Sequence, residues 1–364
     1  MQRKSVQGLL ASAAVDAILL TSPANMRYAA GFTGEGYVYL SGHQKFVVTD
    51  ARYTIAAREE CRGFEIIEWN GKPYYEALKK ALSCDVRDGT KPRLGIEEDN
   101  ITLGTWDKLQ KALGQDLADR TERVFLSQKL AELRYVKTSD EISCIEEAEA
   151  IGDRAFAKLL PHLRAGMTEK QVAAHLEYLM KEEGAEGFSF ETIAASGFHS
   201  AMPHAVPTDK PLELGDFLTM DFGCLYKGYC SDMTRTVVIG RAGERQREVY
   251  QTVLDAQQAA LEGIRPGMTG KEVDALARDV IKERGYGEYF GHSLGHSVGL
   301  EIHESPCFSE KEKTVIRPGM VITVEPGIYI EGFGGVRIED VVIVTEQGCR
   351  DITHSEKKLI EIDR

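Results

Sequence analysis

Two aspartates and two glutamates set in apolar runs are the residues of this chain best suited to chemistry. Asp221 and Asp232 lie in Gly215–Gly240, GDFLTMDFGCLYKGYCSDMTRTVVIG, whose apolar stretches read as paired strands. A carboxylate buried among such residues has to be paired, protonated or bound to a metal. Asp221 follows Phe217, Leu218, Thr219 and Met220 and comes just before Gly223, which places it at a strand end. Asp232 stands eleven positions later, at the start of the next apolar run.

Gly319–Val344, GMVITVEPGIYIEGFGGVRIEDVVIV, repeats this pattern. Laid on the first copy without a gap, it sets Glu325 on Asp221 and Gly327 on Gly223. After a three-residue shift for a longer turn, Glu339 falls where Asp232 stands. Upstream, Arg164–Met180 (RAGMTEKQVAAHLEYLM) matches Arg265–Ile281 (RPGMTGKEVDALARDVI), with Thr168 and Thr269 suited to cap helices of matching apolar spacing. Each half therefore reads as helix followed by acid-bearing strands, and such an internal repeat governs the fold. Two units face to face would gather four acids at a pseudo-twofold axis.

Four converging carboxylates repel by about 1 kcal/mol or more per close pair, and two divalent cations would cancel that charge. The competing reading has the acids capping turns or pairing with Arg235 and Arg337. A register repeated over four acids favours the cations. Phe290–Glu304, FGHSLGHSVGLEIHE, adds His292, His296 and His303. One imidazole with several carboxylates suits Mn, Co, Fe or Zn rather than Ca. Spacing does not say which histidine ligates. His204 lies in the Gly-, Pro- and Ser-rich stretch AASGFHSAMPHAVPTD, seventeen residues before Asp221, and is either an acid/base group or a solvated loop residue.

At 364 residues the chain suits two domains. A net charge of −13 without a basic stripe argues against a nucleic-acid partner. Seven scattered cysteines with no CxxC spacing fit free thiols in a reducing, cytoplasmic setting. The opening MQRKSVQGLLASAAVDAILLTS imitates a secretory signal, but Asp16 interrupts the run and an amphipathic helix leading into a strand at Ala17–Leu20 explains it better. No stretch approaches the ~20 apolar residues of a membrane span. Up to about Ser127, strand patterns (DAILLTS, GYVYL, KFVVTD, FEIIEW, RLGIEE) alternate with helical ones at Ala51–Glu60 and Tyr74–Leu82, which argues for a small α/β domain. A long helix capped by Ser139 then runs to about Leu160. The domains expected are 1–127 and 128–364.

From about Leu133 onward the chain resembles the metallopeptidases of the methionine aminopeptidase, prolidase and aminopeptidase P group, with their duplicated pita-bread fold. The resemblance rests on DFG with YCSDMTRT, GHSVGLEIHE, VEPGIY and GVRIED, in that order. It implies an α/β (α+β) protein with a creatinase-like N-terminal domain and a pseudo-twofold C-terminal catalytic domain. It also implies that Asp221, Asp232, His296, Glu325 and Glu339 hold two divalent ions, manganese foremost with Co, Zn or Fe as alternatives, and that Glu325 is also a proton carrier. His204 then resembles the group contacting the scissile nitrogen, His303 the one steadying the carbonyl oxygen, and His292 and Arg337 substrate-pocket residues of proline-specific members.

The presence of an N-terminal domain points to the prolidases, aminopeptidases P and creatinase rather than to simple methionine aminopeptidases. The function this implies is Xaa-Pro dipeptidase activity on proline-containing di- or short peptides in a homodimeric enzyme. Alternatives are an Xaa-Pro aminopeptidase on longer peptides, a non-catalytic peptide-binding relative, and a creatinase-type amidinohydrolase. His204-Ala205 departs from the His-Gly usual in the group, and a left-handed backbone there would strain alanine.

Overall fold

The structure, a computed structural model, describes residues 5–71, 74–85 and 91–363. The chain divides into two compact units, Met1–Arg134 and Tyr135–Arg364. The helix Ser127–Arg134 falls in the first because Leu130 and Leu133 pack into the same core as Ile18 and Leu20. That places the division after Arg134, past Ser127 where the sequence suggested it.

The first unit is built on a mixed six-stranded sheet in the spatial order Glu65–Glu68, Lys45–Thr49, Gly36–Ser41, Ala17–Leu20, Arg93–Ile96, Glu122–Phe125. Its central strand, AILL, is buried on both faces, with Ile18 and Leu20 in one core and Ala17 and Leu19 in the other. A continuous apolar run of that kind is what a strand covered on both sides requires. The signal-like opening is indeed an amphipathic helix, Val6–Ser12, which buries Val6 and Leu9. Its Arg3-Lys4 pair lies outside the described residues.

The second unit repeats itself. Helices Ser139–Leu159 and Glu169–Glu182 precede the acid strands of the first half, and Glu244–Gly263 and Gly270–Glu283 those of the second. Thr168 and Thr269 both cap their helices through reciprocal bonds, with Gln171 and Glu272 respectively. The long helix starts one residue earlier than expected. Its cap is Thr138, which completes a capping box with Glu141, rather than Ser139.

In the first half Phe217–Phe222 pairs antiparallel with Met233–Ile239, setting Asp221 opposite Thr234. In the second, Val321–Val324 pairs antiparallel with Asp340–Val344. A bridge between Thr234 and Glu339 joins the two sheets at their acid-bearing ends. Gly223 allows the tight approach there, since a Cβ would stand 2.0 Å from the Ser231 carbonyl oxygen. The longer turn of the second copy is a hairpin, Gly327–Ile330 with Gly334–Arg337. Phe156, Leu218 and Phe222 share one core beneath the first half, and Ile145, Val321 and Val341 another beneath the second. Each such side chain contributes about 1.5–3 kcal/mol by leaving water, so the acids stand on a rigid base.

Candidate metal centre and active site

Asp232, His296 and Glu339 each aim one ligand atom into a common space, all within 4.8 Å of one another. His296 Nε2 lies 3.4 Å from Asp232 Oδ2 and 3.5 Å from Glu325 Oε1. Asp221 faces the same cavity, its Oδ1 buried without a hydrogen-bond partner and its Oδ2 accepting from Arg337 at 2.6 Å. All five expected ligand positions thus line one cavity, the four acids brought there by the repeat and His296 from the segment between its halves. Asp221–Arg337 also realises one pairing of the competing reading, while Arg235 pairs with Asp340 instead.

The electrostatics are those of a cation site. Burial pushes Asp232 up to about 6 and Glu325 up to about 7, with neighbouring carboxylates adding to both. Burial and the charges of Asp232 and Glu325 hold Glu339 well above the usual carboxylate range. For His296 burial opposes the charged form, but the hydrogen bond and charge of Asp232, with Glu325, outweigh it and lift the ring to about 9. Protons and divalent cations compete for these lone pairs, and a cation satisfies several at once. The donor set, one imidazole and four carboxylates with an orphaned Oδ1, fits a first-row divalent metal.

The ligand atoms are held from behind. His296 Nδ1 donates to the Ser297 carbonyl at 3.2 Å, which leaves Nε2 as the nitrogen that can ligate once deprotonated. Thr234 Oγ1 donates to Glu339 Oε2 at 2.6 Å, and the Glu339 main chain bonds Thr234 and Arg235. Arg235, 1% exposed, ties the halves together by donating to Asp340 and to the Ser355 carbonyl. The Asp232 amide donates to Glu149 at 2.8 Å, a fully buried carboxyl whose burial raises it well above the ordinary range.

A cavity of about 640 Å³ opens over this cage and is lined by His204, His292, His303 and Arg337 as well as the five acids-and-imidazole positions. The His296 and His303 rings meet edge to face at 4.5 Å. Burial and the neighbouring His296 lower His303 and favour its neutral form. Burial first, then Arg337, brings His292 down to about 4. Its Nδ1 lies 2.8 Å from the Ser293 carbonyl, so Nδ1 carries the proton and Nε2 accepts from Tyr329 Oη at 2.9 Å. Tyr329 in turn accepts from Arg337 at 2.7 Å. Ala205 is outside the left-handed region, among the described residues occupied by only Ala14 and Lys227 of the non-glycines, so alanine after His204 brings no backbone strain.

Sequence reasoning missed Tyr329, which reads as one more apolar position of VEPGIY, and the buried carboxyls Glu149, Glu169 and Glu304. The only signal for Tyr329 was its place in the turn that lengthens the second copy.

Residues 143–346 match the model of metallopeptidase family M24, and residues 2–136 that of the creatinase/prolidase N-terminal domain. The chain belongs to metallopeptidase family M24. It is 42% identical to the Xaa-Pro dipeptidase of Pyrococcus furiosus over 95% of both chains. Among solved structures it is similar to the Xaa-Pro dipeptidase from Bacillus anthracis, with a TM-score of 0.91 at 44% identity over 98% of this chain and 97% of that one. The X-Pro aminopeptidase from Thermotoga maritima gives 0.88 at 39% identity over 96% and 98%. As an M24 member the chain is a metallopeptidase that uses divalent metal, and the pita-bread expectation holds.

Proposed function

We propose that this metallopeptidase hydrolyses the bond between an N-terminal residue and proline, as a prolidase-like dipeptidase. The observation that carries the reading is that His292 and Arg337, both lining the metal-site cavity, are joined through Tyr329 into one hydrogen-bonded chain ending on Asp221. Relatives bearing the name Xaa-Pro dipeptidase along nearly their whole length support it.

Asp221, Asp232, His296, Glu325 and Glu339 would hold the ions, manganese being our choice. Two divalent ions held there would supply an acidified water and a Lewis acid for the scissile carbonyl. The departing proline nitrogen, like any amine leaving an amide, must gain a proton as the bond breaks. Glu325 takes up the proton of the attacking water and passes it toward that nitrogen. His204 contacts the nitrogen from the loop above. Neutral His303 offers an N–H to the carbonyl oxygen as charge gathers there. Arg337, fixed by three side-chain bonds to Thr234, Tyr329 and Asp221, sets the floor against which the substrate lies.

The same proposal carries a homodimer and a cytoplasmic location. All seven cysteines are free, which suits a reducing compartment. No helix among the described residues is long and apolar enough to cross a membrane. A panel of Ala-Pro, Met-Ala and Xaa-Pro-Xaa peptides with Mn or Co tests the reading. Ala-Pro should be the best substrate; tripeptide cleavage without dipeptide cleavage would move it to an aminopeptidase, and cleavage of Met-Ala alone would overturn proline specificity.

A further inference from the structure

Glu169 is completely buried although it opens the helix Glu169–Glu182, a position where an acid ordinarily needs nothing but the helix end. Its carboxylate instead gathers both ends of one loop. Oε1 accepts from the Ser196 amide at 2.7 Å and the Ser196 hydroxyl at 2.9 Å. Oε2 accepts from the Thr208 amide at 3.0 Å and the Thr208 hydroxyl at 2.7 Å. His199 Nδ1 lies 3.1 Å from both oxygens. The loop so closed, residues 196–208, is the one that carries His204.

Packing holds that loop only in part, Ser200 and Ala205 being buried but His204 itself exposed. Its large apolar side chains face outward, Phe198 58%, Met202 49% and Val206 78% exposed. Burial therefore cannot fix the position of His204 to the fraction of an ångström that proton transfer asks for. Hydrogen bonds to one ionised carboxylate can, being about twice as strong as neutral ones. Beyond these, the loop is held by Gly335, whose amide donates to Ser200 Oγ at 2.8 Å, and by Arg337, whose Nη1 donates to the Pro203 carbonyl at 3.5 Å. A Cβ at Gly335 would stand 2.2 Å from the Ser200 carbonyl oxygen.

We infer that Glu169 is the positioning residue for His204, fixing the loop so that the imidazole meets the scissile nitrogen. The inference rests on the proposed role of His204. An amide at position 169 keeps the size of the side chain but loses the charge, so the loop loosens while the cage, on other strands, stays as it is.

The test is a kinetic double-mutant cycle on the metal-loaded full-length enzyme with Ala-Pro, comparing Glu169→Gln, His204→Ala and the pair. Glu169→Gln should lower kcat about tenfold to a hundredfold with metal content unchanged. In the His204→Ala background the same change should cost less than about twofold, because its effect has no imidazole left to act through. Thr208→Val, which removes a single bond to Glu169, should give a smaller loss with the same dependence on His204, and serves if Glu169→Gln does not fold. Equal fold-losses in both backgrounds, or an unchanged kcat in Glu169→Gln, overturn the inference alone. Full activity in His204→Ala overturns the role of His204 and this inference with it.

Discussion

Stripping divalent cations from the protein should leave its C-terminal unit less stable at pH 8 than at pH 5.5, the reverse of the usual behaviour of a protein stabilised by ionised carboxylates. Asp232 and Glu325 have folded values of about 6 and 7 against ordinary values of 3.8 and 4.5. A raised carboxyl value means that the folded state keeps protons the unfolded chain has released. Stability is then complete below the unfolded values and is lost as pH rises through the folded ones. His296, raised from 6.5 to about 9, acts in the same sense, its contribution fading as pH climbs toward 9. At about 1.4 kcal/mol per unit, each proton the cage retains is worth roughly 3 kcal/mol. Metal-free protein should therefore lose about 3 kcal/mol or more between pH 5.5 and 8. A divalent ion at a hundred times its Kd should restore about 2.7 kcal/mol, and more effectively at pH 8, where the ligands are deprotonated. Calorimetry after chelation, with and without manganese, reads this for the whole chain. The two tryptophans, Trp69 and Trp106, both lie in the first unit, so their fluorescence reports the part without the cage and should lack the pH trend. Metal-free stability that is flat or rises from pH 5.5 to 8 in the second unit would refute the account of the cage.

Further perturbations separate the parts of the site. Asp232→Ala or Glu339→Ala should abolish hydrolysis and metal loading while circular dichroism stays native; full activity in either is incompatible with the assigned ligand set. Lys137→Met takes away the ammonium that pairs with the buried Glu304 carboxylate at 3.1 Å, both side chains being 3% exposed, and leaves it the Leu300 and Glu301 amides. That should cost about 3–5 kcal/mol in unfolding experiments, and a loss below about 1 kcal/mol would show that the pair is unimportant. Tyr329→Phe removes the hydroxyl joining His292 to Arg337. It should raise KM for Ala-Pro several-fold, about 1 kcal/mol for the lost bonds, with metal content unchanged; an unaltered KM would detach that chain from substrate binding.

The cage was legible because it was written twice. A single buried aspartate reads as well for a cap or an ion pair, and Asp221 does bond Arg337, but Glu325 and Glu339 in the same register as Asp221 and Asp232 leave little room for coincidence. The first unit was legible where apolar runs were continuous, as at Ala17–Leu20. It was not at Glu122–Phe125, an edge strand whose four residues are mostly exposed and show no alternation. Thr138 displaced Ser139 as the helix cap because only Thr138 has a glutamate three positions on to return the bond.

What the repeat could not show is what differs between its halves, and those differences are where the site acquires direction. Both copies turn through a hairpin, Cys224–Tyr226 with Tyr229–Cys230 in the first, but the three extra residues lengthen the second, Gly327–Ile330 with Gly334–Arg337, which carries Tyr329 and the cavity-lining Arg337. Against that hairpin lies the loop closed by Glu169, its Ser200 and Pro203 accepting from Gly335 and Arg337; Glu169 has Gly270 as its counterpart in the second copy, where no carboxylate is possible. A symmetric cage of acids can bind cations but cannot tell one end of a peptide from the other. The chain therefore places its arginine and tyrosine on the hairpin of the second half and takes its histidine loop, held by a buried acid, from the first. The site's ability to orient a substrate follows from those two departures from symmetry, and the Glu169 and Tyr329 variants probe one departure each.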